Sequence, residues 1–497
     1  MLCVTIGRGR HQHMIAEYQH LADLGADIVE LRLDYLRRHI DLHRLLANRP
    51  CPVIITCRRR EDGGRWEKSE SERLTILRAA IASGVDYVDL EEDIAAAIPR
   101  YGSTKRIVSL HNFEFTPENL EEIQLRLATL DADIVKIATL ANSFTDCIRM
   151  LRLVDSSTVP TIGLCMGEMG MITRILALRY GAPFTYTTLT TERKIAPGQI
   201  TFDMMRNVYR GHEINDSTKF FGVVADPVAH SMSPLIHNRA FQHHGLNYSY
   251  LPFRITAEEL PLFVQWCREF GIGGLSVTIP HKEAMLQLVD EAESAARNIG
   301  ALNTVAFTGG NAAGFNTDYR AAMDCLTAAV TAQDPDNDDP FRGRGALILG
   351  AGGVARAIAY GLRQRGALVA ISSRTLERAE NLARQVGGRA LPWNARYDIR
   401  PGIIVNCSPI GMHPNIDSSP YDKDRLVNPA TIVFDTVYNP EQTLLVKEAR
   451  AAGCFVINGL DMFVRQAAYQ YKLFTGIEAP TDLMRETVKK ITSPVNF

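Results

Sequence analysis

Lys136 is the residue whose type and surroundings point most directly to chemistry. It lies in the apolar stretch DIVKIA (133–138), flanked by isoleucine and valine side chains. Burial among such side chains, with arginines nearby, disfavours the charged form of an amine, and a free amine can attack a ketone. His111, in RIVSLHN (106–112), could then transfer protons near neutral pH. Together they predict covalent amine catalysis, although each alone could be structural, as a rim lysine and a core histidine.

A second amine, Lys282, follows the apolar stretch GLSVTIPHK (274–282), and Asp318 ends the stretch GFNTD (314–318). When an alcohol carbon gives up a hydride its oxygen must lose a proton, and a positioned base accelerates that transfer. The pair therefore predicts proton transfer by Lys282, oriented by Asp318. The structural alternative is a surface ion pair.

Hydroxyl and amide groups accompany this second amine. Ser231 and Ser233 precede Pro234, and Asn303 lies in GALNTV (300–305). The serines are candidates for binding a hydroxylated substrate, but they could equally do no more than cap a helix that begins at the proline.

A glycine turn lies in GALILGAGGVARAIAYGL (345–362), between a short apolar run and a stretch with helical spacing. Glycines let backbone N–H groups approach a phosphate, and the following helix presents its positive N-terminal end. This pattern predicts a dinucleotide site, with a turn that only packs helix on strand as the alternative. The predicted contact residues of the turn are Gly350, Ala351, Gly352, Gly353, Val354 and Ala355.

The next predicted strand, LVAISSRT (368–375), ends in Arg374 where an acidic residue would hold the ribose of NAD, and Arg378 follows one helical turn later. Cations suit the additional phosphate of NADP, so we expect NADP(H) as the cofactor. Ser373 and Thr375 flank Arg374 and belong to the same predicted site.

The elements that position the first amine are eight short apolar strands separated by amphipathic stretches, within about 210 residues. This number favours a (β/α)8 barrel, although an open doubly wound sheet gives the same pattern. Polar residues fall near the predicted strand ends, where such barrels hold their active sites. The strands are predicted at 2–6, 27–33, 52–58, 87–92, 106–112, 133–138, 161–167 and 184–189.

The second half is predicted to be α/β as well, with a substrate domain and a Rossmann-like NADP domain. The polar stretch around 211–219 predicts a domain boundary, and the acidic segment 331–343 predicts a solvated connection. We therefore assign the barrel to 1–215, the substrate domain to 219–330, completed by 460–497, and the nucleotide domain to 341–459.

Length and composition agree with several folded domains. The 497 residues exceed one ordinary core, and the net charge of -2 gives no reason to expect nucleic acid or a membrane as partner. The nine cysteines lack CxxC spacing, which argues against a metal site or disulfide framework and favours a reducing compartment. We expect a cytoplasmic protein whose partners are small molecules, and self-association into a homo-oligomer is left open.

Residues 1–210 resemble the type I 3-dehydroquinate dehydratases in the motifs ELRLD, TCR followed by DGG, SLHNF, DIVKIA, MGEMGMITR and APGQ. The resemblance implies that Lys136 forms a Schiff base with the substrate ketone and that His111 is the acid–base residue. Ile195 stands where serine is common and Asp62 where glutamate is common, on a loop that could act as a lid. The substrate residues implied are Glu30, Arg32, Arg58, Asp62, Met166, Arg174 and Gln199.

Residues 220–497 resemble the shikimate dehydrogenases in SxSP, VTIPHK, NT, NTD, GAGGxARA, SRT, NCSPIGM, DTVYNP and GLDMFVRQA. The resemblance implies that Lys282 is catalytic. Tyr319 departs from the family, in which a small residue is usual, and predicts a narrower cleft mouth. The substrate residues implied are Ser231, Ser233, Thr278, Asn303, Asp318, Tyr438 and Gln466, and those near the nicotinamide are Asn406, Ser408, Gly459 and Met462.

The two resemblances imply consecutive reactions: dehydration of 3-dehydroquinate to 3-dehydroshikimate, then reduction by NADPH to shikimate. Retention of both serines favours shikimate over quinate. The alternatives are a second half that uses quinate or NAD(H), and a regulator that keeps both folds to sense metabolites. Retention of both lysines argues against the regulator, since a sensor does not need a Schiff-base lysine.

Overall fold

Eight parallel strands occur in sequence order in the first half of the computed structural model, which describes residues 1–229 and 231–492. The strand predictions are confirmed, with ends shifted by at most a few residues. The strands are β1 (Leu2–Ile6), β2 (Ile28–Arg32), β3 (Val53–Thr56), β4 (Tyr87–Glu91), β5 (Lys105–Asn112), β6 (Ile134–Leu140), β7 (Thr161–Met166) and β8 (Thr185–Thr188).

These strands form a nearly closed barrel. They pair in the order β7–β6–β5–β4–β3–β2–β1–β8, so β7 and β8 are the two ends of the sheet within the described residues. The open doubly wound alternative is wrong, because its strand order would reverse at a switch point. The helices are α1 (His11–Asp23), α2 (Leu42–Leu46), α3 (Glu70–Ala82), α4 (Glu92–Ala95), α5 (Leu120–Ala128), α6 (Phe144–Ser156), α7 (Gly167–Gly170) and α8 (Thr173–Leu176).

Alternation along the strands determines what fills the barrel. Side chains two residues apart point to the same face, so each strand sends every second residue inward. One inward layer is mostly apolar and includes Ile28, Ile107, Ile134 and Phe184. Two residues further along the chain from these four residues, the side chains are Glu30, Ser109, Lys136 and Tyr186. Inside the barrel, a layer of polar side chains therefore lies next to a layer of apolar side chains.

A mixed sheet follows, with the order β10–β9–β11–β13–β14–β12. β11 pairs parallel with β9 and antiparallel with β13. The strands are β9 (Lys219–Ala225), β10 (Tyr248–Arg254), β11 (Gly274–Val277), β12 (Glu291–Ala292), β13 (Thr304–Thr308) and β14 (Asn311–Phe315). The helices are α9 (Ser233–His243), α10 (Leu260–Phe270), α11 (Ser294–Ile299) and α12 (Thr317–Gln333).

The third sheet is fully parallel, in the order β17–β16–β15–β18–β19–β20, as the predicted Rossmann-like domain requires. The strands are β15 (Gly345–Leu349), β16 (Leu368–Ser372), β17 (Arg389–Leu391), β18 (Ile403–Asn406), β19 (Ile432–Asp435) and β20 (Phe455–Ile457). The helices are α13 (Gly353–Gln364), α14 (Leu376–Val386), α15 (Leu444–Ala451), α16 (Gly459–Thr475) and α17 (Thr481–Thr492).

The last two helices return to the mixed sheet. Val464 and Tyr471 of α16 and Met484 of α17 are buried in one apolar cluster with Phe221 of β9 and Phe241 of α9. The chain divides into two compact units, Met1–Thr218 with Leu251–Ile255, and Lys219–Tyr250 with Thr256–Phe497. No helix within residues 1–229 and 231–492 is long and apolar enough to cross a membrane.

Candidate active sites

The first cavity opens in the barrel and gathers every residue of the first half that the sequence proposed for a site. Its wall combines those polar groups with apolar side chains. The proposed residues are Glu30, Arg32, Arg58, Asp62, His111, Lys136, Met166, Arg174 and Gln199, and they are joined by Thr5, Gly63, Phe113, Ala138, Leu164, Tyr186, Ile195 and Ala196.

Asp89, which the sequence analysis did not single out, connects the charged groups of this site. Its Oδ2 accepts from Nζ of Lys136 at 2.9 Å. Its Oδ1 accepts from Nη2 of Arg58 at 2.7 Å and from Oγ of Ser109 at 2.6 Å. Burial alone would raise the pKa of Asp89, but the charges of Arg58 and Lys136 outweigh it and hold that pKa well below its ordinary value. A buried carboxylate therefore holds the amine in place.

His111 accepts a hydrogen bond from Arg58. Nη1 of Arg58 lies 3.1 Å from Nδ1 of His111, and a guanidinium has no lone pair to offer. Nδ1 must therefore be the acceptor, and the neutral ring carries its proton on Nε2. Burial, and then the charges of Arg58 and Lys136, lower the pKa of His111 well below its ordinary value. The imidazole is neutral at pH 7 and has the Nε2 proton to donate, while the lone pair of Nδ1 is bound to Arg58.

Arg174 is a buried cation that has no counter-ion among the described residues. Its side chain is 2 % exposed, and Nε and Nη2 have no hydrogen-bond partner among the described residues. Burial lowers the pKa of Arg174 to about 10. A buried, unpaired guanidinium is costly unless an anion completes it, so this corner of the cavity suits a carboxylate.

Three other predicted substrate residues already have partners inside the protein. Arg32 makes a two-point pair with Asp34, at 2.9 and 2.8 Å. Oε1 of Glu30 accepts from Thr56 at 2.8 Å. Oε1 of Gln199 accepts from the backbone N–H of Ile195 at 2.7 Å, which leaves its amide NH2 as a donor. These residues have fixed orientations before any ligand arrives.

The loop with Asp62 is tied to the barrel rim. Oδ2 of Asp62 accepts from Nε of Arg59 at 2.8 Å, and Arg59 also pairs with Asp93 at 2.6 Å. Gly63 has φ +76, and a Cβ there would lie 2.3 Å from the ring of Phe113. This contact requires glycine, because any side chain would push the loop off Phe113.

The second cavity, of about 490 Å³, is a size typical of sites for small molecules. It contains every residue proposed to bind the second substrate: Ser231, Ser233, Thr278, Lys282, Asn303, Asp318, Tyr438 and Gln466. Val354, Gly459 and Met462 of the proposed cofactor set also line it, as do Ser276 and Gln470, which the sequence analysis missed.

Lys282 and Asp318 form the expected pair at its centre. Nζ of Lys282 donates to Oδ2 of Asp318 at 2.5 Å, with the two side chains 14 % and 9 % exposed. Asp318 lies in the first turn of α12, whose first residue, Thr317, donates its backbone N–H to Oδ1 of Asn303 at 2.7 Å. The surface ion-pair alternative is wrong, since the pair lies in the cavity. Asn303 therefore helps to position Asp318 while it lines the cavity.

A purely structural role for the two serines would be to cap α9, and neither serine does so. The N-cap residue is Met232, with no side-chain hydrogen bond, and Ser233 is the first residue of the helix. Oγ of Ser231 accepts from the backbone N–H of Ser233 at 3.3 Å. Both serines line the cavity.

The glycine turn fits a phosphate group. Gly350 has φ +122, and a Cβ there would lie 2.8 Å from the carbonyl oxygen of Cys407, so only glycine fits. α13 starts behind Gly352 with no side-chain cap and no acidic residue in its first turn, which leaves its first N–H groups for an anion. Arg374 and Arg378 are exposed and form no ion pair within the part of the chain that the structure describes. The residues present therefore fit a dinucleotide with an additional phosphate.

Two residues expected beside the nicotinamide have other partners. Asn406 donates to Oδ1 of Asp435 at 2.9 Å, and its own Oδ1 accepts from Oγ of Ser408 at 2.7 Å. Neither Asn406 nor Ser408 is among the described residues that line the second cavity. Burial raises the pKa of Asp435 to about 6. These side chains shape the loop after β18.

Tyr319 does not narrow the mouth of the cavity. Its ring packs against Tyr360 of α13 at 5.6 Å, and it is absent from the described lining of the cavity. The expectation of a narrower cleft is wrong, because the side chain of Tyr319 packs against α13 and does not line the cavity.

Family models match both halves of the chain. The type I 3-dehydroquinase model matches residues 2–216, the shikimate dehydrogenase substrate binding domain residues 223–305, and the shikimate 5'-dehydrogenase C-terminal domain residues 459–489. A model described as NADP oxidoreductase coenzyme F420-dependent matches residues 346–428. The fold and the two sites thus define a lyase joined to an oxidoreductase.

Similar proteins match either the whole chain or its second half. A bifunctional 3-dehydroquinate dehydratase/shikimate dehydrogenase of Arabidopsis thaliana, described as chloroplastic, is 36 % identical over 99 % of this chain and 84 % of its own length. An NADP(+) shikimate dehydrogenase of Methanopyrus kandleri is 41 % identical over 55 % of this chain and 96 % of its own. A shikimate dehydrogenase solved with NADP+ superposes with TM-score 0.52 and 34 % identity, over 56 % of this chain and 98 % of that one. The chain belongs to the bifunctional 3-dehydroquinate dehydratase/shikimate dehydrogenase family, whose two reactions are part of the shikimate pathway.

Proposed function

We propose that the barrel dehydrates 3-dehydroquinate through a Schiff base on Lys136, and that the second unit reduces the product, 3-dehydroshikimate, to shikimate with NADPH. The observation that carries the proposal is the barrel cavity itself. It holds a buried amine, a neutral imidazole and a guanidinium that has no counter-ion in the described part of the chain.

The charged groups of this cavity determine how the substrate binds and how the Schiff base forms. Arg174 takes the substrate carboxylate, which supplies the missing counter-ion. Nζ of Lys136 attacks the ketone carbon, and the carbonyl oxygen leaves as water once it is protonated. Asp89 holds the amine until the ketone arrives and remains as the counter-ion of the iminium.

The iminium then draws electrons from the neighbouring C–H bond. Once substrate binding releases Nδ1 of His111 from Arg58, the lone pair of Nδ1 accepts that proton. His111 then returns a proton to the departing hydroxyl group, which leaves as water. Addition of water to the iminium releases 3-dehydroshikimate and restores the amine of Lys136. The low pKa of His111 keeps a neutral ring available for the first transfer.

In the second unit, Lys282 donates a proton to the carbonyl oxygen that becomes the new hydroxyl group, and Asp318 orients Lys282. NADPH, when bound, supplies the hydride. Ser231, Ser233, Thr278, Tyr438 and Gln466 hold the substrate carboxylate and hydroxyls. The side-chain stem of Lys282 lies beside Gly353, where a Cβ would be 3.1 Å from Cδ of the lysine, so the amine is adjacent to the glycine turn.

The proposed cofactor residues divide into two groups. Gly350, Ala351, Gly352, Gly353 and Ala355 form the diphosphate turn, with Val354, Gly459 and Met462 toward the substrate. Ser373, Arg374, Thr375 and Arg378 bind the additional phosphate of NADP. Asn406 and Ser408 act by shaping the loop beside this site.

The domain limits proposed are 1–215 for the dehydratase, 219–330 with 460–497 for the substrate domain, and 341–459 for the nucleotide domain. Residues 493–497 lie outside the described part of the chain. The proposed location is cytoplasmic, on the ground of nine scattered cysteines without CxxC spacing. Fractionation of the producing cells tests it.

One coupled assay tests the proposal. 3-Dehydroquinate and NADPH are supplied together, and the absorbance of NADPH is followed. We expect oxidation of NADPH with the wild type, no oxidation with Lys136→Ala, and full activity of Lys136→Ala when 3-dehydroshikimate is supplied instead. No oxidation by the wild type with either substrate would support the sensor, and equal rates with NADH would overturn the assignment of Arg374.

A further inference from the structure

Tyr186 is the second group of the barrel cavity with a polar atom that has no partner within the described chain. Among the described residues that line this cavity, only Arg174 and Tyr186 carry buried side-chain atoms without a hydrogen bond. Tyr186 lies on β8 and is 4 % exposed. A hydroxyl removed from water without a partner is costly, so a buried one beside a binding cavity suggests a ligand that completes it.

The position of the ring fits contact with a molecule bound to the amine. Nζ of Lys136 lies 4.1 Å from the centroid of the Tyr186 ring. A six-membered carbocycle joined to Nζ is therefore within reach of this residue. The ring itself is held by Phe184, whose centroid lies 5.6 Å away in an edge-on arrangement.

Several charged groups in and beside the cavity are already engaged, so the hydroxyls of such a ring depend on the remaining donors, which include the amide NH2 of Gln199. Asp89 is occupied by Lys136, Arg58 and Ser109, and Arg32 by Asp34. Ile195, Leu164 and Ala138 add only apolar surface. A polyhydroxylated substrate needs partners for its own oxygens, since each one buried unpaired would weaken binding.

We infer that the hydroxyl group of Tyr186 binds the substrate of the dehydratase directly, through a hydrogen bond to a ring hydroxyl. This inference rests on the proposed function of the barrel. The contact is neutral, because burial, followed by the nearby charge of Glu30, raises the pKa of Tyr186 well above its ordinary value. Tyr186 therefore binds and orients the substrate, while His111 transfers protons to and from it.

Tyr186→Phe tests the inference, since it removes the oxygen and keeps the ring over Lys136. We expect kcat/KM of the dehydratase to fall about tenfold, the factor supplied by one hydrogen bond at the upper end of the ordinary range. The Tm should stay level or rise, because the free protein loses an unpaired buried hydroxyl. The shikimate dehydrogenase rate of the same preparation should not change.

Tyr18→Phe is the matched control. Tyr18 is 1 % exposed in the same unit and outside the cavity, and its hydroxyl donates to the backbone carbonyl of Cys51. We expect this variant to lower the Tm and to leave kcat/KM unchanged, the reverse of Tyr186→Phe. An unchanged kcat/KM in Tyr186→Phe, or a fall in kcat/KM matched by a lower Tm, would overturn the inference. An inactive wild-type dehydratase would instead overturn the proposed function.

Discussion

Arg58 donates from Nη1 to Nδ1 of His111 at 3.1 Å, and this contact sets both the tautomer and the charge of the histidine. The cation opposes protonation of the ring, in addition to the effect of burial. The contact therefore links the stability of the protein to pH.

The free energy of unfolding should decrease as the pH is lowered, and His111 should contribute to this decrease. The unfolded histidine takes up a proton near pH 6.5, while the folded one does not, because its pKa is lowered. The folded state thus loses stability relative to the unfolded state as the pH drops below 6.5. We expect the difference in Tm between His111→Gln and the wild type to move in favour of the variant from pH 7 to pH 5. A constant difference would contradict the lowered pKa.

Asp89→Asn, which replaces one carboxylate oxygen with an amide nitrogen, should lower both the dehydratase activity and the stability of the barrel. The variant removes the charge that holds Lys136 and Arg58, so the amine is misplaced. Lys136 loses its carboxylate partner, and Arg58 keeps only the longer contact with Glu91, at 3.4 Å. We expect dehydratase kcat to fall on the order of 10²-fold and stability to fall by about 3–5 kcal/mol. Enzyme assays and denaturant unfolding measure the two effects.

Ser109→Ala is the matched control for Asp89→Asn. It removes one hydrogen bond to the same carboxylate and leaves the charge in place. The loss of stability should be about 1 kcal/mol, with most dehydratase activity retained. Equal losses of stability and of dehydratase activity in the two variants would mean that the charge of Asp89 contributes to neither.

The two activities should be separable by substitutions at the two lysines. Lys282→Ala or Asp318→Asn should lower the reduction of 3-dehydroshikimate by 10²–10⁴-fold, the range for loss of a proton-transfer group. The dehydratase rate of both variants should equal that of the wild type. Both rates are measured on one preparation, and a dehydratase loss in either variant would contradict independent sites.

Arg374→Ala should raise the KM for NADPH by about 10- to 100-fold, because a hydrogen bond between charged groups is lost. The KM for NADH should be unchanged, since NADH has no additional phosphate. Arg384→Ala serves as control, since Arg384 is on α14 and bonds Asn381 of the same helix. Equal effects of Arg374→Ala on both cofactors would show that Arg374 does not contact this phosphate.

The sequence predicts the strands and both lysines well, because the relevant signals are local. Apolar runs define β1 to β8, and a lysine inside DIVKIA is conspicuous. Lys282 and Asp318 belong to motifs whose residues lie together in the second cavity, at a distance that allows proton transfer.

The remaining features depend on contacts between strands, which spacing along the chain does not reveal. Asp89 and Ser109 look like ordinary alternating residues until β4, β5 and β6 become neighbours. Tyr186 is two residues after Phe184 in a strand that could face either way. The expectation for Tyr319 is wrong for a similar reason, because its partner, Tyr360, lies on a different helix and spacing along the chain does not reveal contacts between helices either.

The most direct measurement of the central claim is chemical trapping of the Schiff base. Wild-type protein is incubated with 3-dehydroquinate and sodium borohydride, and its peptides are analysed by mass spectrometry. The account predicts one reduced adduct, on Lys136, and none in Lys136→Ala. An adduct on another lysine, or turnover of 3-dehydroquinate without any adduct on Lys136, would contradict it.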